Sequence, residues 1–171
     1  LQHIIKFYGS TDKMNLIYGE GDVFHTHLNI NPFAENADGK IVVRDDVSNL
    51  DKYADDSELT ELIAVDVIDF IPANKTSEVI DNWVKKIRIG GKIVIGGVDL
   101  LEVCKCLSQY KIDISDANAL IHGQQNKPYM LRKVNFTAIG ISEYLKDRFG
   151  FEIISKNINN FKMSVEARRP S

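Results

Sequence analysis

Asp66 and Asp69 stand three residues apart, at the end of an apolar run from Leu62 to Val67 and directly before Phe70-Ile71-Pro72. Carboxylates this close could supply a general base, or one could hold a polar substrate group while the other stays solvated. Solvated loop carboxylates are the commoner case. His122, in Leu120-Ile121-His122-Gly123, joins them as a candidate base because imidazole titrates near neutrality. His25 and His27 form a His-x-His that, on a strand, places both rings on one face and could begin a metal site. No third ligand is recognisable, so no metal is expected. Cys104 and Cys106, two positions apart on an expected helix, point in different directions and read as core thiols.

A second set of residues is suited to binding. Tyr18-Gly19-Glu20-Gly21-Asp22 ends the first apolar run, Met14 to Tyr18. Glycines there let backbone approach a ligand, although a plain turn reads equally well. The next run, Phe24 to Ile30, ends in Asn29-Ile30-Asn31-Pro32. At this position a nucleotide-binding sheet carries a carboxylate for the ribose diol. An amide can accept one such bond without the charge, so an Asp at position 29 or 31 is expected to tighten binding. Asn31-Pro32 as an ordinary turn is the competing reading.

These residues need a frame to bring them together. Lys40 to Val43 is β-branched, and Leu62 to Val67 is apolar almost throughout, as a strand covered on both faces must be. Thr76 to Ile87 repeats apolar residues at helical spacing, with Thr76 or Ser77 as cap and Gly90-Gly91 as stop. Lys92 to Ile95 is a strand and Asp99 to Tyr110 a helix. Thr137 caps a further helix that Gly150 stops, and Phe151 to Ile154 and Phe161 to Ala167 close the chain as paired strands. Strands alternating with helices predict a doubly wound, mostly parallel α/β sheet with an antiparallel edge strand. Ligands of such sheets sit beyond the carboxyl ends of the strands, where the candidate residues fall.

The 171 residues carry no linker or repeat and read as one domain, 1–171. With 21 basic against 24 acidic residues and a net charge of -3, a nucleic-acid partner is not expected. No apolar run approaches the ~20 residues of a membrane helix, and no secretion signal is visible. Two cysteines with this spacing suit a cytoplasmic chain better than a disulfide scaffold. A homo-oligomer is compatible with this composition.

Ala64-Val65-Asp66-Val67-Ile68-Asp69-Phe70-Ile71-Pro72, followed by a helix and Arg88-Ile89-Gly90-Gly91-Lys92-Ile93-Val94-Ile95, resembles the class I S-adenosylmethionine-dependent methyltransferases. Leu120-Ile121-His122-Gly123-Gln124-Gln125 and Phe149-Gly150-Phe151-Glu152-Ile153 are similar to the tail of small methyltransferases linked to cell-surface or polysaccharide modification. The resemblance implies S-adenosylmethionine over Tyr18, Gly19 and Gly21, its ribose toward Asn29 or Asn31 and its adenine toward Asp46 and Val47, with Val65 and Asp66 lining the crevice. It implies methyl transfer to a small molecule or saccharide, with Asp66, Asp69 or His122 as base if one is used, His122 first among them because imidazole titrates near neutrality. Ile17 and Tyr18 stand where the family has small residues, and Asp69-Phe70 replaces a Glu-His pair. A methyltransferase-like binding or scaffold domain without catalysis is therefore the alternative. A nicotinamide-dependent dehydrogenase fits less well, because no Gly-x-Gly-x-x-Gly opens a helix after the first strand.

Overall fold

The computed structural model describes residues 12–35 and 42–171. Seven strands form one sheet: β1 (Lys13–Leu16), β2 (Leu28–Ile30), β3 (Val42–Val43), β4 (Leu59–Val65), β5 (Ile87–Val98), β6 (Glu152–Asn159) and β7 (Lys162–Arg168). Their order across the sheet is β3-β2-β1-β4-β5-β7-β6. The first five run parallel; β7 lies antiparallel to β5 and to β6, so the closing pair is the antiparallel edge. Chain direction across the sheet reverses between β1 and β4, which makes their carboxyl ends the switch point where a crevice opens. The mostly parallel α/β class expected from the sequence is what the chain adopts.

Four helices accompany the sheet: α1 (Thr76–Lys86), α2 (Leu100–Ser108), α3 (Ile114–His122) and α4 (Ala138–Phe149). Apolar side chains of α1 and α4, among them Val79, Ile80, Trp83, Ile141 and Leu145, share one buried cluster with Met14, Leu62, Ala64, Ile93, Ile95 and Val165 of the strands. Trp83 is fully buried, and its indole N–H donates to the Val47 carbonyl at 2.8 Å. A smaller cluster, Val98, Val103 and Ala117, holds α2 and α3 over the end of β5.

Caps follow the sequence in part. Thr137 accepts from Gly140 N, and Gly150 ends α4 in the left-handed region, both as expected. Thr76 does not cap α1: it is the first helical residue, and its hydroxyl donates back to the Ala73 carbonyl. Gly90 and Gly91 do not stop α1 either, because β5 begins at Ile87; they lie where its pairing shifts from Leu59↔Ile87 to Glu61↔Lys92. A side chain at Gly91 would meet the Leu59 carbonyl at 2.7 Å, so this fold-back needs a glycine. Helix α3 is an addition to the elements expected from the sequence; Asp113 and Asp116 form a capping box that marks its start.

The expectation that β4 is covered on both faces is not met. Leu59, Leu62 and Ala64 are buried, whereas Glu61 and Ile63 are half-buried and Val65 is 45% exposed. The connection from β1 to β2, Ile17–His27, contains no helix. Phe24 and Ile17 of this loop stand beside Ile63 and Val65 and leave a small cavity there. β2 is correspondingly shorter than expected, and Lys40 and Ile41 of the expected third strand lie outside the described residues.

Candidate functional site

The strand ends position the site. β4 stops at Val65 because Asp66 turns to φ +55°, a left-handed conformation uncommon for residues other than glycine, asparagine and aspartate. That turn sends Val67 inward and starts a short 3-10 segment, Ile68–Phe70, which carries Asp69. Asp69 is 2% exposed. It fits because residue 97 of the neighbouring β5 is glycine: a Cβ there would lie 2.9 Å from the Asp69 carboxylate.

The counter-ion of Asp69 is Arg132, a residue that no motif singled out. Its guanidinium binds Asp69 Oδ2 through Nη1 and approaches Asp66 Oδ1 through Nη1 at 3.4 Å and Nη2 at 3.3 Å. Backbone bonds fix the segment: Arg132 N donates to the His122 carbonyl at 3.0 Å and Lys133 N to the Asp69 carbonyl at 2.7 Å. Lys162 Nζ, from the first residue of β7, donates to the same Asp66 Oδ1 at 2.8 Å. All these contacts fall on one oxygen of Asp66, and Oδ2 has no partner among the described residues. Burial pushes the Asp69 carboxyl above its ordinary pKa; the Arg132 charge opposes that rise and Asp66 adds to it. Asp69 thus anchors Arg132, whereas Asp66 is the carboxylate with an oxygen to offer.

Asp66 borders two cavities. One, of about 320 Å³, lies among Tyr18, Phe70, Leu120, Met130, Arg132 and Lys162; the other, of about 170 Å³, lies over Ile17, Gly21, Ile63 and Val65. A third, of about 440 Å³, adjoins both through Glu20 and is bounded by Gly19, Asn31, Phe33 and Tyr129. Tyr18 stacks on Phe70 with centroids 5.1 Å apart, and burial, then the Asp46 charge, keeps its phenol above its ordinary pKa.

The remaining sequence candidates divide. Gly19, Gly21, Tyr18 and Val65 line the crevice. Asn31 reaches its rim, but its amide is committed: Oδ1 accepts from Gly19 N and Phe33 N at 3.0 Å each, and Nδ2 donates to the Gly19 carbonyl at 2.9 Å. Asn29 is 2% exposed and fastens the helix-free loop, accepting from Asn15 Nδ2 and Phe24 N and donating to the Phe24 and His27 carbonyls. Val47 is fully buried, so its side chain does not reach the crevice, and Asp46 lies in a separate groove beside Ile71 and Lys75. His122 ends α3 exposed and lines none of the three cavities. His25 lies in a turn rather than on a strand, and His27 is buried against Glu61, so the two rings share no strand face. Cys106 is buried and Cys104 exposed, so only one of the expected core thiols is in the core.

The bonds of Asn31 give an acid at position 31 a cost in stability. Asn31→Asp replaces the donor to the Gly19 carbonyl with a second acceptor, and is expected to lower stability by about 1–3 kcal/mol. A shift of the urea midpoint to lower concentration checks this; an unchanged midpoint would show that the side chain does not hold the glycine loop.

Fold and crevice together define the class: the chain has the Rossmann-like fold of class I S-adenosylmethionine-dependent methyltransferases. No protein-family model matches it, and no curated protein matches it in sequence. Among solved structures it is similar to 1,6-didemethyltoxoflavin-N1-methyltransferase of Burkholderia thailandensis, solved with bound 1,6-didemethyltoxoflavin and S-adenosylhomocysteine, at 10% identity and a TM-score of 0.59. That match covers 99% of this chain and 76% of the other. A SAM-dependent methyltransferase of Methanosarcina mazei matches at 14% identity and a TM-score of 0.55, over 99% of this chain and 98% of the other. An O-methyltransferase family protein from Burkholderia thailandensis matches at 12% identity and a TM-score of 0.52; there 76% of this chain spans 36% of the other.

Proposed function

We propose that this chain is an S-adenosylmethionine-dependent methyltransferase acting on a small molecule or saccharide, with Asp66 receiving the acceptor's proton. The observation that carries the proposal is Asp66 itself. It borders two cavities at the switch point, with Oδ1 tied to Arg132 and Lys162 and Oδ2 open. A carboxylate held this way has a fixed orientation and one acceptor site for the hydroxyl or amine of an acceptor in the larger cavity. The described residues fit the cofactor in offering backbone without side chains, at Gly19 and Gly21, where the crevice is widest; the Tyr129 ring packs against Gly19, 2.6 Å from where a Cβ would lie. Tyr18, Gly19, Gly21 and Val65 would hold the cofactor, with Asn31 acting through Gly19. When bound, the cofactor supplies an electrophilic methyl group. Holding acceptor and methyl donor in line can contribute ~7 to 11 kcal/mol, so the chain's main task is positioning. The bound S-adenosylhomocysteine and small-molecule substrate of the didemethyltoxoflavin enzyme support this reading. A cytoplasmic setting is supported by the unpaired thiols of Cys104 and Cys106.

A binding module of methyltransferase fold is the second reading, favoured by one observation: Asn15, Asn29 and Asn31 are all bonded within the chain. Titration calorimetry with S-adenosylhomocysteine separates the two. Heat on binding and a melting temperature that rises with ligand concentration are expected. Saturating ligand with neither heat nor a thermal shift would leave the binding module.

A further inference from the structure

Six side chains form a column across the crevice. Lys127 Nζ lies 5.8 Å from the Tyr129 ring centroid; Tyr129 stacks on Phe33 at 3.9 Å with planes 10° apart; Phe33 meets Tyr18 edge-on at 5.0 Å. Tyr18 stacks on Phe70, and Arg132 lies over the far face of the column, 4.9 Å from the Phe70 centroid. Both cations and Tyr129 belong to one segment, Lys127–Arg132, anchored at its end by the backbone bond from Arg132 to His122. The other aromatic rings come from the connections after β1, β2 and β4. The segment thus spans the crevice and sets one ring against Gly19, the glycine that would otherwise face a ligand.

We propose that Tyr129 is a built-in plug of the cofactor crevice. Its ring fills the planar space beside Gly19 and on Phe33, and a ligand reaches that space only after the Lys127–Met130 stretch swings out. The inference rests on the cofactor reading of this crevice. Arg132 stays in place as the hinge side, because Asp69 and two backbone bonds hold it, while the other end is held by ring contacts and by the loose pairing of Lys127 with Glu20 at 3.7 Å. Ring contacts of this kind are weak enough to open and strong enough to leave the open state a minority. A ligand that binds only the open state has its affinity reduced by the open fraction, and a variant without the plug recovers that loss.

The test is titration calorimetry of S-adenosylhomocysteine with the wild-type chain, Tyr129→Ala and Phe33→Leu, each first shown to melt cooperatively. Tyr129→Ala is expected to bind about tenfold more tightly, which corresponds to about 1.4 kcal/mol. Phe33→Leu, which loosens the plug but also removes part of its seat, is expected to bind less tightly than Tyr129→Ala. A readout free of affinity is Tyr129→Trp, since Trp83 is fully buried and iodide quenches exposed indoles. The new indole is expected to be shielded in the free protein and quenched once S-adenosylhomocysteine is bound. Equal or weaker binding by Tyr129→Ala would overturn the plug and leave the cofactor reading standing. No binding by any of the proteins would remove both. An indole already quenched without ligand would show that the ring is not seated against Gly19, and would overturn the plug whatever the affinities.

Discussion

Arg132→Met is expected to lower the unfolding free energy by about 3–5 kcal/mol near neutral pH, the range found when one partner of a buried ion pair is removed. Asp69 and Arg132 are 2% and 9% exposed, so water cannot replace the lost contact. Asp69 Oδ1 and Arg132 Nε already lack hydrogen-bond partners, which leaves the pair no slack. The loss is pH-dependent. Burial holds the folded-state pKa of Asp69 above its ordinary value. Its contribution to stability is therefore whole below the ordinary carboxylate range and is lost as pH rises through the raised value. Removing Arg132 takes away the charge that opposes the rise, so the penalty is largest near neutrality and shrinks toward acid. Urea midpoints at about pH 7 and about pH 4.5 will show a smaller gap between wild type and variant at the lower pH. A gap that stays constant or widens on acidification would mean that Asp69 is not the group left uncompensated. Pairing Arg132→Met with Asp69→Leu is expected to recover much of the loss, since both charges then go together.

Asp66→Asn is expected to slow methyl transfer by about 10²–10⁴-fold with whichever hydroxyl or amine acceptor the wild-type chain takes, the range typical of losing a general base. Asparagine suits the test because it tolerates the left-handed conformation at this position. It also keeps an oxygen for Arg132 and Lys162 while removing the basic site. Incorporation of radiolabelled methyl across a panel of acceptors measures the effect, and S-adenosylhomocysteine affinity serves as the control. A rate within threefold of wild type at unchanged affinity would leave positioning alone as the source of catalysis.

The sequence reveals elements whose signals are local. Thr137 and Gly150 bracket α4 because a cap and a left-handed stop act within a turn of the helix, and the apolar period of α1 needs no knowledge of the rest of the chain. Asp66 and the glycines were legible because they follow strands, and strand ends meet at the switch point in any sheet of this class. Arg132 was not legible. It lies 63 residues from Asp69, and nothing distinguishes it locally from Lys133 until the sheet brings Asp69 beneath it. For Asn29 and Asn31 the sequence shows the position after β2 but not the partners. Without a helix between β1 and β2, side chains tie down the loop in its place, and these amides do so. The same missing helix leaves Val65 exposed at the end of a strand whose composition promised cover on both sides.

That helix-free connection also bears on which cofactors the crevice can select. In nucleotide-binding sheets the first crossover helix aims its amino terminus at the ligand, where unpaired amides and about half a unit of positive charge receive a pyrophosphate. Here Gly19 and Gly21 lead into Asp22 and an irregular loop, and Asn31 already accepts from the Gly19 amide. A dinucleotide's pyrophosphate would meet no helix dipole there, and the side chains nearest it are Asp22, Glu20 and the Lys127 that pairs with Glu20. An adenosyl ligand that carries no phosphate loses nothing by the helix's absence.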